Sequence, residues 1–319
     1  MKGKRLIKVE VRKDLCSIQS IMEQFICFKR AQGLAERTIK DYQTTFKLFL
    51  SFFEAQEIRL ENIRDKILNL FSKLSNLAPA TFNNPYSYLN SFFNWSVNEN
   101  YLDENPLKSL GLKKKKDEGR IRCIEVAYIK ALIDKIDLKT YTGLRDYVIV
   151  LLMLDCGIRP CEAFKIEVND IDFKSGILRI RKEIAKTRTE RILPLSMTMV
   201  NLLQRIIQVK PSDWNNNLVF CKCDGLPMHV VMYDKRLAYY SQKAGVKVTP
   251  YDLRHTFAIM YLRNNGNAFT LQKTMGHADL SMTKRYLGLS LNDLKEQHQK
   301  ASPLQNIVKR NTRVQKLFR

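Results

Sequence analysis

Apolar residues recur every three or four positions through the first third of the chain, a spacing that places them on one face of a helix. This spacing predicts four helices, over residues 17–31, 39–53, 61–74 and 86–98. Gly33 follows the first helix, Thr38 precedes the second as its N-cap, and Pro85 begins the fourth. We therefore expect residues 14–110 to form a small helical bundle.

A different pattern interrupts the helical spacing in the second half of the chain. Two short apolar stretches, 177–181 and 191–195, flank the polar residues 186–189, which predicts a β-hairpin. Helical spacing predicts further helices over residues 126–136, 144–155, 197–209, 230–244, 253–264, 268–275, 281–287 and 291–300. The expected fold class is mainly α, with a helical domain followed by an α/β domain that contains a small antiparallel sheet.

Glycine and proline are few, 12 and 9 among 319 residues, which favours long helices. At roughly 100 to 200 residues per domain, this length predicts two domains. We divide the chain into a basic N-terminal arm, a helical domain, a basic linker, a second domain and a C-terminal segment, at residues 1–13, 14–110, 111–125, 126–300 and 301–319.

The chain carries 54 Lys and Arg against 32 Asp and Glu, a formal net charge of +22. The surplus is uneven, because residues 14–110 contain ten basic and eleven acidic residues, whereas residues 301–319 contain five basic and no acidic ones. A nucleic acid, an acidic protein or a membrane surface would each attract such a charge. The charge alone therefore indicates an anionic partner without identifying it.

Some polar residues are candidates for contacts with DNA. The linker contains Lys113, Lys114, Lys115 and Lys116, which form either a solvated loop or a track along phosphates, where each neutralised phosphate adds affinity. On the helical domain the candidates for facing a groove are Arg37, Lys40, Asn83 and Asn84.

The longest apolar run, residues 147–154, is far shorter than the roughly 20 residues needed to cross a bilayer. The basic N-terminus is not followed by the apolar core of a signal peptide. The seven cysteines show neither a disulfide framework nor a zinc-ligand spacing. We therefore expect a cytoplasmic, nucleoid-associated protein with reduced thiols, no metal and no membrane contact.

Basic and nucleophilic residues cluster in four stretches of the second domain, at the predicted ends of helices and in the hairpin. These stretches are residues 157–162 (GIRPCE), the hairpin around Lys186, residues 251–255 (YDLRH), and Gly276-His277 with Tyr286 nine residues after the histidine. In this order and spacing the chain resembles the tyrosine recombinase (phage integrase) family, from about residue 17 to residue 300. The resemblance implies a core-binding helical domain and a catalytic domain.

The resemblance also implies roles for particular residues. Tyr286 would be the nucleophile. Arg159 and Arg254 would bind the scissile phosphate. Lys186 would be the general acid on the hairpin, with Lys182 as an alternative. His277 would support both the phosphate and the nucleophile. Glu162 would support the first arginine, Arg159. One position departs from the family pattern, because Tyr251 stands where a histidine is usual, three residues before Arg254. We interpret His255 as structural, contacting a backbone carbonyl.

These residue types suit phosphoryl transfer without a metal or another cofactor. A tyrosine hydroxyl that attacks a phosphodiester conserves the bond energy in a phosphotyrosyl link, which a DNA hydroxyl can attack later to rejoin the strand. Two guanidiniums can neutralise the charge of the transition state. A lysine can protonate the departing oxygen if neighbouring arginines lower its pKa.

The resemblance predicts a site-specific recombinase acting on double-stranded DNA, of the two-domain Xer-like or transposon type, because the segment before residue 14 is too short for an additional arm-binding domain. It also implies a homotetramer on synapsed DNA, joined through the C-terminal segment, in which Leu304, Ile307 and Val308 form an apolar stripe. Two alternatives remain open: a type IB topoisomerase that relaxes DNA, and a DNA-binding accessory protein with an impaired site, which Tyr251 would explain.

Overall fold

The computed structural model describes residues 17–53, 63–116, 122–214, 216–286 and 298–299. The chain divides into two compact units, residues 1–119 and 120–319. Several predicted features fall outside the described residues, namely the basic arm 1–13, part of the linker, most of the helix predicted over 291–300, and the C-terminal segment 301–319.

The described part of the first unit is helical. Its helices are α1 Ile18–Ala31, α2 Glu36–Leu50, α3 Ile63–Leu74, α4 Pro79–Asn98 and the short α5 Pro106–Ser109. Their apolar faces meet around Phe25, whose ring makes edge contacts with Tyr42 and Phe92 at centroid distances of 5.2 and 5.5 Å. Aromatic side chains on α1, α2 and α4 thus supply much of the buried area that holds the bundle together.

Two helix starts in this unit differ from the prediction. Helix α2 begins at Glu36, so Thr38 lies inside it, because the negative charge of Glu36 in the first turn favours an earlier start. Helix α4 begins at Pro79 and contains Pro85 in its interior. Phe82 and Pro85 are both buried. Burial of this extra turn offsets the backbone hydrogen bond that an interior proline removes.

The first residues of the predicted linker are attached to the first unit. The Asn83 side chain donates to the Lys115 carbonyl at 2.9 Å and accepts from the Lys115 backbone N–H at 2.8 Å. The Lys115 ammonium group donates to the carbonyls of Ser75 and Leu77 and lies 5.0 Å from the centroid of the Phe82 ring. Lys115 is therefore fixed against α4 and against the turn between α3 and α4.

The second unit contains helices around a small sheet. Its helices are α6 Val126–Ile133, α7 Tyr141–Cys156, α8 Pro160–Ala163, α9 Met197–Gln208, α10 Val230–Lys243, α11 Pro250–Arg263, α12 Ala268–Met275 and α13 Leu280–Lys284. Its strands are β1 Ile171–Asp172, β2 Ile177–Ile180 and β3 Arg191–Pro194, antiparallel in the order β1-β2-β3. The expected fold class is confirmed.

Helix α7 is the centre of the second unit and packs against both α9 and α11. Val148, Ile149 and Leu152 are fully buried on it. It begins three residues earlier than predicted, because the Thr140 hydroxyl accepts from the Gly143 N–H and caps it. Helix α11 likewise begins at Pro250, behind a capping box formed by Thr249 and Asp252.

No helix in the described ranges is both long enough and apolar enough to cross a bilayer.

Candidate active site

A sharp turn after α7 places the first candidate arginine. Gly157 ends the helix with φ of +61°, in the left-handed region that favours glycine. A Cβ atom at this position would lie 2.3 Å from the Phe257 ring of α11, so the glycine also allows close packing. Two residues later, Arg159 is the N-cap of α8 and is 7% exposed.

The carboxylate of Glu162 joins α8 to the hairpin. It accepts from Nη1 of Arg159 at 3.2 Å, from the Arg159 backbone N–H at 3.3 Å and from the Lys186 backbone N–H at 3.1 Å. Both terminal nitrogens of Arg191, at the start of β3, also donate to it. Burial raises the pKa of Glu162, but Arg191 and Arg159 outweigh this effect and hold the pKa below its usual value. Glu162 is therefore a buried anion between two cations.

The second candidate arginine, Arg254 on α11, is also buried. Its guanidinium donates to the carbonyl of Gly157, to that of Met275 at 2.7 Å, and to Nε2 of His277 at 3.3 Å. Burial, together with the charge of Arg159, lowers the pKa of Arg254 to about 9, so the group is still cationic at neutral pH.

Carbonyl groups at the end of α12 bring the two arginines together. Nη2 of Arg159 donates to the Gly276 carbonyl at 2.8 Å, next to the Met275 carbonyl that binds Arg254. The C-terminus of a helix carries partial negative charge and carbonyls without helical partners, so it stabilises nearby cations. The geometry thus holds two guanidiniums at one place.

Both ring nitrogens of His277 are engaged. Nε2 accepts from Arg254, which assigns the proton of the neutral imidazole to Nδ1, and Nδ1 donates to Oγ1 of the buried Thr283 at 2.9 Å. Burial and the charge of Arg254 lower the pKa of His277 to about 4. His277 is therefore neutral near pH 7 and orders the region between Arg254 and α13.

Tyr286 follows α13 and is half-buried. Its hydroxyl oxygen lies 2.7 Å from Nδ1 of His255, and its ring plane is within 9° of that of His277 at a centroid distance of 6.3 Å. Burial raises the pKa of Tyr286 by more than the charges of Arg254 and Arg285 lower it. The phenol is consequently protonated at neutral pH. His255 thus contacts the Tyr286 hydroxyl, in place of the backbone carbonyl expected from the sequence.

The other predicted site residues are more exposed. Lys186 is exposed at its side chain, while its backbone is fixed by Glu162. Lys182, the alternative to Lys186, is also exposed on the hairpin. Tyr251, in the first turn of α11, is 48% exposed. The positions predicted to bind DNA on the first unit are mostly exposed, but Asn83 and Lys115 have the intramolecular partners described above.

Sequence reasoning missed Arg191. This residue is the first of β3, whose side chains alternate between buried and exposed, and Arg191 is on the buried side. A cation at an inward position of a strand was the signal that could have identified it, because a buried charge requires a partner. In addition to Glu162, Arg191 binds the Thr274 carbonyl at 3.0 Å and so connects the sheet to α12.

In the described ranges, no group of three or more His, Cys, Asp and Glu side chains is arranged to hold a metal ion.

Comparison with known proteins identifies the family. Tyrosine recombinase XerD of Listeria monocytogenes is 24% identical over 299 residues, which cover 90% of this chain and 99% of that protein. Tyrosine recombinase XerC of Proteus mirabilis is 29% identical, over 85% of this chain and 89% of that protein. The Tn1549 transposon integrase, solved in complex with transposon right end DNA, has a similar fold, with a TM-score of 0.73 and 17% identity over 89% of this chain and 99% of that chain.

These relatives favour a recombinase over the topoisomerase and the accessory protein considered above. The model of the phage integrase family matches residues 123–292, just over half of the chain and all of the elements that hold the candidate site. The chain therefore belongs to the phage integrase family and is a tyrosine recombinase.

Proposed function

We propose that this site-specific recombinase cleaves and rejoins double-stranded DNA through Tyr286, with Arg159 and Arg254 binding the scissile phosphate. The observation that carries this assignment is the anchoring of both guanidiniums on adjacent carbonyls at the end of α12. An arginine has five N–H donors, more than these contacts use, so N–H groups remain for the nonbridging oxygens of a phosphate. Such fixed donors stabilise developing negative charge by several kcal/mol.

In the cleavage step, the Tyr286 hydroxyl oxygen bonds to phosphorus and the bond from phosphorus to the 5′ oxygen of the next nucleotide breaks. We assign the proton for that oxygen to the Lys186 ammonium group. Its side chain is exposed, whereas its backbone N–H donates to Glu162. The backbone of Lys186 is therefore fixed, and its side-chain ammonium group can move to the DNA. The phosphotyrosyl link then awaits attack by a DNA hydroxyl.

We assign supporting roles to His277 and Glu162. His277 binds both Arg254 and Thr283, so it orders the second arginine and the helix before Tyr286. Glu162 positions Arg159 directly. Tyr251, half-exposed at the start of α11, is available to donate a hydrogen bond to a phosphate but has no imidazole for proton transfer.

The nucleophile assignment is tested with a nicked suicide substrate, in which the cleaved end diffuses away and the covalent adduct accumulates. Tyr286→Phe should bind the same DNA with unchanged affinity and form no adduct. Tyr239→Phe, a matched change at an exposed tyrosine of α10, should form the adduct at the wild-type rate. An adduct formed by Tyr286→Phe would overturn the assignment.

We further propose that four protomers assemble on two synapsed sites through residues 301–319, a segment outside the described residues. The support is the family resemblance and the apolar stripe in that segment. Analytical ultracentrifugation of the full chain with a duplex that carries one site should show complexes with four protomers and two duplexes. A chain that ends at Lys300 should bind DNA but stop at smaller complexes, and tetramers formed by that shortened chain would contradict the proposal.

Its biological role, we propose, is the movement or resolution of DNA elements, as in a transposon integrase or a Xer recombinase. The similarity to a Xer recombinase and to a transposon integrase supports these two classes. Sequencing the DNA that is covalently trapped on the wild-type protein in cells distinguishes the two classes. A transposon integrase should trap the ends of a mobile element, whereas a Xer recombinase should trap a single chromosomal site.

A further inference from the structure

The histidine next to the second arginine contacts the reacting oxygen. His255 lies on α11, and its Nδ1 atom is 2.7 Å from the Tyr286 hydroxyl oxygen, a normal hydrogen-bond distance. The two rings are 5.6 Å apart between centroids. Among the described residues, no other histidine is hydrogen-bonded to that hydroxyl. The imidazole of His255 thus contacts the hydroxyl group of Tyr286, whose proton must leave when its oxygen attacks phosphorus.

The other groups near the site are less suited to remove that proton. Nε2 of His277 accepts from Arg254, and its Nδ1 donates to Thr283, so both nitrogens are in use. Tyr251 lies one helical turn before His255, on the same face of α11, and is itself a phenol. It titrates far above neutral pH and cannot serve as a base there.

Burial keeps the imidazole of His255 in its basic form. Burial lowers the pKa of His255 below its ordinary value; the nearby Asp252 raises it, and Arg254 and Arg285 lower it further. The imidazole is therefore neutral at pH 7 and has a lone pair free to accept a proton.

We propose that His255 is the general base of strand cleavage, accepting the proton of the Tyr286 hydroxyl while this oxygen attacks the phosphorus. This inference rests on the proposed function of Tyr286 as nucleophile. His255 is thereby a catalytic residue, because it contacts a reacting atom.

The proton transfers balance over the full reaction. During cleavage the bond from the Tyr286 oxygen to phosphorus forms, its proton moves to Nδ1 of His255, and the 5′ oxygen leaves with a proton from the general acid. His255 is then an imidazolium. During rejoining a DNA hydroxyl attacks phosphorus and gives its proton to the neutral Lys186 amine, the bond from phosphorus to the Tyr286 oxygen breaks, and His255 returns its proton to the phenolate oxygen. The enzyme ends in its starting protonation state.

The test compares adduct formation on the nicked suicide substrate at saturating protein, from about pH 5 to about pH 8, for the wild type and His255→Gln. We expect the wild-type rate to fall as the pH drops below the ordinary histidine value of about 6.5, because the protonated base cannot accept. His255→Gln should be slower by about 100-fold and should lose this acidic limb. His229→Gln, the same change at an exposed histidine that precedes α10, should keep both rate and limb.

Two further measurements separate a catalytic role from a structural one. His255→Ala should regain adduct formation when imidazole is added, in proportion to the neutral fraction of imidazole, and DNA binding should confirm that the variant is folded. A substrate with sulfur in place of the departing 5′ oxygen needs no general acid, so it should restore the rate of Lys186→Ala and leave that of His255→Gln low.

Several outcomes would overturn the proposal. One is a rate of adduct formation by His255→Gln equal to that of the wild type. Another is a slow His255→Gln that keeps the acidic limb, together with a His255→Ala that imidazole does not rescue. This second result would reduce His255 to a positioning residue. Failure of the proposed function is distinguishable, because it would appear as an adduct formed by Tyr286→Phe, whatever the behaviour of His255.

Discussion

At the scale of single residues, the buried Glu162 determines where the cations of the site lie. Its carboxylate accepts from Arg159, Arg191 and the backbone of Lys186, which belong to α8, the start of β3 and the hairpin loop. A buried anion of this kind is stable because its partners compensate it, and the partners in turn depend on it. One side chain thus couples the proposed phosphate clamp to the loop that carries the proposed general acid.

Removing the charge of Glu162 should destabilise the second unit. Glu162→Gln leaves two buried guanidiniums without their anion, so we expect the free energy of unfolding to fall by about 3 kcal/mol. Urea unfolding in a Trp95→Phe background measures this unit, because Trp214 is then the remaining tryptophan. Glu190→Gln breaks an exposed pair with Arg179 and should hardly change the midpoint. Equal midpoints for both variants would contradict the role of Glu162.

His277 should make stability depend on pH. Its pKa is about 4 in the folded state and about 6.5 when unfolded, so between these values the unfolded state binds more protons. The contribution of His277 is therefore fully present above pH 6.5 and is lost as the pH falls toward 4. The unfolding free energy of the wild type should decline more steeply over this range than that of His277→Gln. His229→Gln should follow the wild-type slope, and a parallel decline of His277→Gln would be inconsistent with the shift.

At the scale of elements, the position of the site depends on how closely α7 and α11 pack. Gly157 ends α7 and packs against the Phe257 ring of α11. Its carbonyl accepts a hydrogen bond from Arg254, which is also on α11. The turn, the helix contact and the second arginine are thereby fixed together. The end of α12 then supplies carbonyls to both arginines, so the ends of α7 and α12, together with α11, define the place where a phosphate would bind.

Adding a methyl group at Gly157 should disturb both packing and activity. Gly157→Ala places a side chain in the left-handed region, at a cost of about 1–2 kcal/mol, and against the Phe257 ring as well. Gly245→Ala is the matched control, with φ of +66° and no atom within 4 Å of the added group. In urea unfolding Gly157→Ala should lose more stability than Gly245→Ala, and its rate of adduct formation should also fall. Equal effects of the two changes would show that the helix contact is unimportant.

At the scale of the whole molecule, the net charge of +22 and the buried arginines of the site have different roles. Arg159, Arg191 and Arg254 are buried and bound to protein groups, so they contribute little to a diffuse attraction for DNA. Most of the surplus lies elsewhere, and the basic arm, the linker and the C-terminal segment are rich in it. We therefore expect exposed lysines to control affinity and the buried arginines to control rate.

Lys113 and Lys114 test this division. They are exposed, on a segment that Asn83 holds against the first unit. Changing both to Gln should reduce the slope of log affinity against log salt by up to about 2, since each phosphate contact contributes about 0.9. Changing both to Arg keeps the charge and should keep the slope. The rate of adduct formation at saturating protein should not change, and a Gln variant with the wild-type slope would place these lysines away from DNA.

The sequence predicted the helices well where an apolar stripe was uninterrupted, as for α1 and α12. It was wrong at the starts of α2 and α4, because Thr38 and Pro85 resemble helix boundaries. The charge of Glu36 favours the earlier start of α2, and the burial of Phe82 and Pro85 favours that of α4. The hairpin could be predicted because its strands alternate, whereas the two-residue β1 is too short to show a period.

By itself, the sequence determined the class of chemistry and the candidates for it, because the order and spacing of Arg159, Arg254 and Tyr286 are properties of the chain. Tertiary structure alone decided which groups surround them. The Glu162–Arg191 pair, the bonds from the two arginines to adjacent carbonyls at the end of α12, and the contact between His255 and Tyr286 all join residues that are distant along the chain. Hydrogen bonds and pKa values depend on distances and burial in space, and a linear pattern does not contain these distances.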